Sequence, residues 1–229
     1  MSNPIEITNL SVKYNYANIS MRILENVNLT VKKGEMVGIM GLSGCGKSTL
    51  LFCICGLIPH LYKEEIKGTV LIDGVSINSM RLPEIATKIG IVFQNPDNQL
   101  FSPTVEDEIA FGPENLLVER EEIGMRIKDA LNKVGMEKYR FSSPHQLSGG
   151  EKQRIALASV LSLKPNIFLF DEILSQIDKK GRKDIKEIIK NLKEDGNTIV
   201  MIDHNIDNFE CADRVLFLKN GVLEDYKDA

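Results

Sequence analysis

The sequence of 229 residues predicts an α/β fold. Its core is mainly parallel sheet with helices, built on a phosphate-binding loop, with an N-terminal antiparallel β layer in front and an α-helical block inserted. Three observations predict this. The residues Gly41 to Thr49, GLSGCGKST, fit the pattern G-x-x-x-x-G-K-[ST] between an apolar strand-like run, Met36–Met40, and a helix-like run, Ser48–Cys55. The runs Ile167–Phe170 and Asn197–Ile202 are short and apolar, as buried parallel strands are. Helical patterning takes over between about Thr104 and Val160, interrupting the alternation of strand and helix.

In chain order, Ile5–Val12 alternates apolar and polar residues as a half-buried strand does, and Val27–Val31 repeats the alternation. Lys33-Gly34 then turns the chain into Met36–Met40. After the loop helix, Gly56 and Pro59 break the chain. Thr69–Ile72 is a strand ending at the Asp73-Gly74 turn, Pro83–Thr87 a short helix, and Ile89–Phe93 the next strand. The stretch Gln94–Thr104 has too much polar residue and proline for regular structure and reads as a functional or hinge loop. Thr104 followed by Asp107 resembles an N-cap box opening a helix over Val105–Phe111, which Gly112-Pro113 ends. Glu121–Val134 has apolar residues at 123, 127, 131 and 134, one face of a helix. A further helix follows Leu147–Arg154 and runs through Leu163, and Lys179–Lys193 is an amphipathic helix. Asn220-Gly221, between Val215–Leu218 and Val222-Leu223, is a hairpin signal.

A hydrophobic content of 43% is enough for a sizeable core, and a net charge of −4 argues against nucleic-acid binding through a broad basic patch. Cysteines stand at 45, 53, 55 and 211. On a helix, C-x-C spacing splays the side chains apart, so the reading is core thiols in a reducing compartment and not a zinc knuckle or disulfide framework. The N-terminal MSNPIEITNL has no basic region followed by an apolar stretch, so no signal peptide is expected. The longest apolar run, Leu50–Ile58, is nine residues, against the roughly 20 a membrane span needs. A role at a membrane therefore requires another chain to cross it.

The chemistry begins at the glycine-rich loop. Gly41, Gly44 and Gly46 let the backbone wrap so that successive N–H groups point at a phosphate. Lys47 brings a point charge to the β and γ oxygens, the Ser48 hydroxyl can ligate Mg²⁺, and the following helix sets its positive end under the phosphates. The chain thus reads as a nucleoside-triphosphate binder, with Gly41, Leu42, Ser43, Gly44, Cys45, Gly46, Lys47, Ser48 and Thr49 around the phosphates. Asp171, at a strand tip, reads either as a strand-end cap or as the second Mg²⁺ ligand such a site needs. Glu172 could polarise the attacking water. His204 ends another strand and could read the γ-phosphate, and Gln94 could touch Mg²⁺ or the water. Ser148-Gly149-Gly150 opens a helix and forms a second anion-binding N-terminus. Tyr14 is either a ring on which a base stacks or an ordinary strand-end aromatic.

GLSGCGKST, Gln94, LSGGEKQR, FLFDE and His204, in that order and over nearly the whole chain, resemble the ATP-binding-cassette (ABC) ATPases. The resemblance implies one cassette over 1–229, with the β layer and a RecA-like core in 1–94 and 161–229 and a helical subdomain carrying the signature motif in 95–160. It implies ATP and Mg²⁺ as cofactors and hydrolysis as the activity. Lys47 would stabilise phosphate charge, Glu172 would act as general base or water-positioner, His204 would sense the γ-phosphate, and Ser48, Gln94 and Asp171 would face the metal. The signature helix of one subunit would close over ATP held by the other, so Ser148, Gly149, Gly150 and Asp178 (in SQID, Ser175–Asp178) would contact ATP across a homodimer or a heterodimer. Tyr14 matches the base-stacking aromatic, with Tyr16 the alternative.

QNPDNQLF followed by TVEDEIAFGPENL is similar to the ATPases of energy-coupling-factor (ECF) transporters, a group that includes cobalt and nickel importers. That likeness implies a peripheral subunit on the cytoplasmic face of the cell membrane. It would power uptake of a vitamin or transition-metal ion through a transmembrane coupling protein and a substrate-binding membrane subunit. Asn95–Phe101 and residues of Val105–Leu117 would form the groove that grips the coupling protein. The alternatives sharing this ATP chemistry are an ATPase of another ABC transporter class and a soluble ABC ATPase acting on nucleic acid or ribosomes. The soluble class carries a long coiled-coil insertion or a second cassette, neither of which is seen here, and no nucleic-acid partner is expected. Three residues depart from the family pattern: Ile173 for Pro, Ile177 for Leu and Glu151 for Gln, all leaving Asp171 and Glu172 in place. Many of these ATPases carry a further C-terminal region that helps pairing and that this sequence does not reach, so the resemblance does not imply tight dimerisation without ATP.

Overall fold

The computed structural model describes residues 2–16 and 19–226. The first half comprises β1 (Ile5–Tyr16), β2 (Ile19–Val31), β3 (Met36–Met40), α1 (Lys47–Ile54), the single turn α2 (Leu57–His60), β4 (Glu65–Ile72), β5 (Val75–Ser76), α3 (Leu82–Ala86) and β6 (Ile89–Val92). The second half comprises α4 (Val105–Asn115), α5 (Arg120–Val134), α6 (Gly149–Leu161), β7 (Ile167–Asp171), α7 (Lys179–Glu194), β8 (Thr198–Asp203), β9 (Arg214–Lys219) and β10 (Val222–Asp225).

Two sheets result. One is antiparallel, in the order β2-β1-β4-β5; the other has six strands in the order β10-β9-β3-β8-β7-β6. Its strands β9, β3, β8, β7 and β6 run parallel, and β10 closes the edge antiparallel to β9. The central strands are apolar on both sides because each side faces its own core. In β7, Phe168 and Phe170 join the helices α4 to α7, while Ile167 and Leu169 join α1 and the antiparallel sheet. In β8 the same alternation sends Ile199 and Met201 one way and Val200 and Ile202 the other. An unbroken apolar run is thus the signature of a strand sandwiched between layers.

The expected antiparallel layer, loop helix, parallel strands and Asn220-Gly221 hairpin are all present, several with longer bounds. The first strand runs past Val12 because its pairing with β2 continues through Tyr16, and a bulge at Asn9, with φ 52°, shifts its apolar phase from Ile5 and Ile7 to Leu10 and Val12. β2 begins well before Val27 and β4 before Thr69, since pairing with β1 extends both beyond their expected stretches. Gln94–Thr104, expected to hold no regular structure, contains one 3-10 turn at Pro96–Asn98 capped by the Asn95 side chain.

The clearest correction concerns Gly112-Pro113, which was expected to end the helix that Thr104 caps. The Thr104 hydroxyl does accept the Asp107 N–H, but α4 continues through Pro113 to Asn115. Proline at 113 removes the N–H that would reach the Ile109 carbonyl four residues back. The Ser162 hydroxyl, buried at the end of α6, stands 2.9 Å from that carbonyl and 2.8 Å from the Ser159 carbonyl, so its one hydrogen is shared between them and the helix passes through the proline.

Candidate functional site

The glycine-rich loop joins β3 to α1. Gly46 is at φ 106°, and a Cβ there would come within 3.0 Å of the Ile23 carbonyl of β2. A Cβ on Gly41 would sit 2.5 Å from the Leu218 carbonyl of β9. At Gly41 and Gly46 the loop is therefore pressed against the neighbouring strands with no room for a side chain, while a Cβ at Gly44 would meet nothing within 4 Å. Lys47 opens α1 and is 6% exposed. Its ammonium donates to the Gly41 carbonyl at 2.9 Å and the Leu42 carbonyl at 3.1 Å, and lies 3.3 Å from Glu172 Oε1.

Both carboxylates arrive from the C-terminal tip of β7. Asp171 is the last residue of β7 and is buried; its carboxyl is raised above the usual carboxylate range chiefly by loss of water, opposed by a hydrogen bond from Ser48 and increased by the nearby Glu172 charge. Glu172 takes a left-handed backbone with φ 48°, and its N–H bonds the Ile202 carbonyl of β8 at 3.0 Å. That sharp turn off the sheet aims the Glu172 carboxylate back across the loop. Its Oε2 lies 3.5 Å from His204 Nδ1 and accepts from Gln94 Nε2 at 3.3 Å, while Gln94 Nε2 also reaches the Ser175 hydroxyl at 3.3 Å. One carboxylate thus meets residues from the ends of α1, β6 and β8.

A cavity of about 350 Å³ joins Tyr14, Ser43, Gly44, Gly46, Lys47, Ser48, Thr49, Gln94, Asp171 and Glu172. A second, beside it, is lined by Gly41, Leu42, Ser43, Glu172 and His204. Thr49 contributes its side chain to the frame, its hydroxyl paired with the Tyr14 hydroxyl at 3.0 Å. Burial pushes the Tyr14 phenol up, and the Tyr16 side chain lies outside the described residues. Cys45 sits in the loop, with its Sγ 2.7 Å from where a Cβ on Gly41 would be. Cys53 and Cys55 are core thiols pushed up to about 12 and about 11 by burial.

Ser148, Gly149, Gly150 and Asp178 line neither cavity. Gly150 packs on Gly181 instead, and Asp178 Oδ1 caps α7 by accepting the Gly181 N–H at 2.9 Å.

Sequence reasoning missed several residues. Asp203, fully buried, accepts the N–H groups of His204 and Asn205 at 2.8 and 2.9 Å on Oδ1 and the Asn208 amide at 2.9 Å on Oδ2. An acid ending an apolar strand directly before His-Asn was the available signal. Glu108, also buried, holds the far end of the Gln94 loop by accepting the Phe101 and Ser102 N–H groups. Lys152 and Gln153 of α6 tie the same loop through Asp97 at 2.6 Å and the Phe93 carbonyl at 3.0 Å; nothing local marks those pairings.

Residues 24–175 match the family model described as ABC transporter. The chain belongs to the ABC transporter ATPases. It is 47% identical over 96% of its length to a Pyrococcus abyssi protein whose name goes no further than ABC transporter ATP-binding protein, covering 78% of that protein. It is 46% identical over 97% of its length to the energy-coupling factor transporter ATP-binding protein EcfA1 of Ligilactobacillus salivarius, covering 77% of it. Among solved structures, CbiO1 of Clostridium perfringens, part of the ABC transporter complex CbiONQ, superposes with a TM-score of 0.83 at 32% identity, over 97% of this chain and 87% of that one. The ATP-binding cassette MJ0796, solved as a dimer in a post-hydrolysis state with ADP and Pi, also gives 0.83 at 32% identity, over 98% of this chain and all of that one. The ABC ATPase is thus a mixed α/β enzyme of the expected fold, and ATP hydrolysis is its activity.

Proposed function

We propose that this ABC ATPase is the energy-coupling subunit of an ECF-type importer, hydrolysing ATP in a pair of cassettes to drive uptake of a vitamin or transition-metal ion through membrane partners. The observation that carries the enzymatic part is the convergence of Lys47, Gln94 and His204 on the single carboxylate of Glu172. The phosphate loop binds the triphosphate, and Lys47 exchanges its carbonyl partners at Gly41 and Leu42 for phosphate oxygens. Tyr14, at the cavity edge, carries the base.

Ser48 and Asp171 suit Mg²⁺: a hydroxyl and a carboxylate already hydrogen-bonded to each other are hard oxygen donors, and a buried carboxylate beside Glu172 gains from a cation. Gln94 is within reach of the same cavity. Bound Mg²⁺ would neutralise charge developing between the β and γ phosphates. Glu172 orients the attacking water and takes its proton, and His204, whose backbone turn Asp203 fixes, donates toward the γ-phosphate. Ser148, Gly149, Gly150 and Asp178 serve the nucleotide on the other cassette, which accounts for their place outside this chain's own cavities. The dimeric MJ0796 cassette supports that pairing.

The ECF assignment is supported by the likeness to EcfA1 and CbiO1 and by the surface next to the Gln94 loop. There, between core and the 95–160 helical subdomain, Phe101 and Phe111 are 62% and 48% exposed and pack edge to face at 4.7 Å. They border a largely apolar groove of about 250 Å³ with Ile91, Phe93, Val160 and Leu163. An apolar groove with aromatic walls suits one helix of a membrane protein. Among the described residues no helix is long and apolar enough to cross a membrane; the likeness to EcfA1 and CbiO1 supports a peripheral subunit on the cytoplasmic face.

Affinity capture from detergent-solubilised membranes of the native host tests the partner. Recovery of a small multi-span protein with a substrate-binding membrane subunit is expected, whereas recovery of an exporter's membrane domain would refute the ECF reading. The catalytic reading is tested by Glu172→Gln, which is expected to lower turnover by about 100-fold or more while ATP binding persists; unchanged turnover would remove Glu172 from its role.

A further inference from the structure

The first turn of α6 carries a contact set that the proposed ATP chemistry does not use. Ser148 caps the helix, but its hydroxyl is engaged. Glu151 Oε2 accepts both the Ser148 N–H at 2.9 Å and the Ser148 hydroxyl at 2.8 Å. The Tyr139 hydroxyl, from the 3-10 turn that follows α5, donates to Oε1 of the same carboxylate at 2.6 Å. A capping box needs only the serine and the acid, so Tyr139 is an added clamp that fixes where the carboxylate stands. The bond from Tyr139, with those from Ser148, pushes the Glu151 carboxyl down to about 2, and the group stays ionised at every working pH.

A helix N-terminus offers an incoming phosphate two things: a positive pole with free N–H groups, and the cap hydroxyl. Here the cap hydroxyl is already held by the Glu151 carboxylate, and the positive pole already faces that fixed negative charge within the chain. We propose that Glu151, clamped by Tyr139, is a positioning residue that holds the Ser148 hydroxyl and opposes the γ-phosphate of the facing cassette, setting how readily the ATP-loaded pair closes. This rests on the proposed reading of Ser148, Gly149 and Gly150 as the half-site for the other cassette's nucleotide. Glutamine at this position would keep an acceptor for the Ser148 N–H and the helix cap, but it would bring no charge. ATP-driven closure must therefore turn the Ser148 hydroxyl away from Glu151 and bring two anionic groups to one helix end, so the native residue favours the open pair.

The test pairs the full chain with the cassette it co-purifies with, a second copy or a distinct subunit, in a Glu172→Gln background that suppresses turnover. Sedimentation gives the dissociation constant with ATP and Mg²⁺ as salt is varied. Glu151→Gln is expected to lower the constant by about tenfold at low salt, with the gap narrowing as salt screens the repulsion. Ser148→Arg is expected to abolish association. If Ser148→Arg pairs like its parent, the cross-dimer reading fails and the inference falls with it. If Ser148→Arg abolishes pairing while Glu151→Gln leaves the constant unchanged, raises it, or shifts it independently of salt, the inference alone is overturned. A purely structural cap would not yield a salt-dependent gain.

Discussion

Asp203 offers the sharpest link from a buried contact to catalysis. Its carboxylate accepts three hydrogen bonds, at 2.8, 2.9 and 2.9 Å, from the two N–H groups that shape the His204 turn and from the Asn208 amide. Asp203→Asn keeps one oxygen, enough for the two backbone donors, but turns an NH₂ group toward the NH₂ of Asn208. The loss is one charge-assisted bond plus a buried donor facing a donor, together about 2–4 kcal/mol. For a chain of this size that lowers Tm by roughly 5–15 °C and leaves it folded. The ATPase rate should fall with it, because the His204 turn loses its anchor, while nucleotide binding at the Lys47 loop is retained. Adding Asn208→Asp reverses the polarity of the pair, so the double variant should recover much of both losses. Calorimetry and steady-state ATPase assays read the two effects. An Asp203→Asn enzyme that melts within about 1 °C of the native protein, or a double variant no better than the single, would refute the reasoning.

Two further outcomes follow from the same physics. Burial lifts the Asp171 carboxyl above its ordinary 3.8. The folded state therefore binds its proton more tightly than the unfolded chain does, and ionising it costs stability as pH rises from 3.8 through the folded value. Asp171→Asn should melt higher than the native protein at neutral pH, with the difference closing below about 3.8, and should lose ATPase activity; a lower melting temperature at neutral pH would contradict this. Ser162→Ala strips the donor from the Ile109 carbonyl that Pro113 leaves open, at a cost of about 1–3 kcal/mol. Pro113→Ala, by restoring an N–H at that place, should recover part of the loss in denaturant titrations, and strict additivity of the two changes would show that they do not share the carbonyl.

The difference between what was readable and what was not follows the range of the interactions. Thr104 and Asp107 belong to one helix turn, and the Asn220-Gly221 hairpin to one backbone bend with φ 50° and 78°, so neighbouring residues specify them. Pro113 misled because the bond it removes is replaced by a hydroxyl 53 positions away from Ile109. β1 outruns its alternating stretch because pairing with β2, not pattern, carries it from Lys13 to Tyr16.

For the site, the sequence alone determined the phosphate loop, since a backbone nest of glycines followed by Lys47 and Ser48 is a local conformation. It also determined which residues stand at strand ends, because apolar runs stop where the chain leaves the sheet. Only the tertiary structure decided which of those ends touch. Parallel register sets Asp171 opposite Ile202 and Met40 opposite Asp203, and the left-handed turn at Glu172 then swings one carboxylate onto Lys47, Gln94 and His204. The clamp of Tyr139 on Glu151 and the three bonds to Asp203 depend likewise on packing between elements. A buried polar group takes whichever partner the fold brings within about 3 Å, and a residue's own neighbours in sequence carry no trace of that choice.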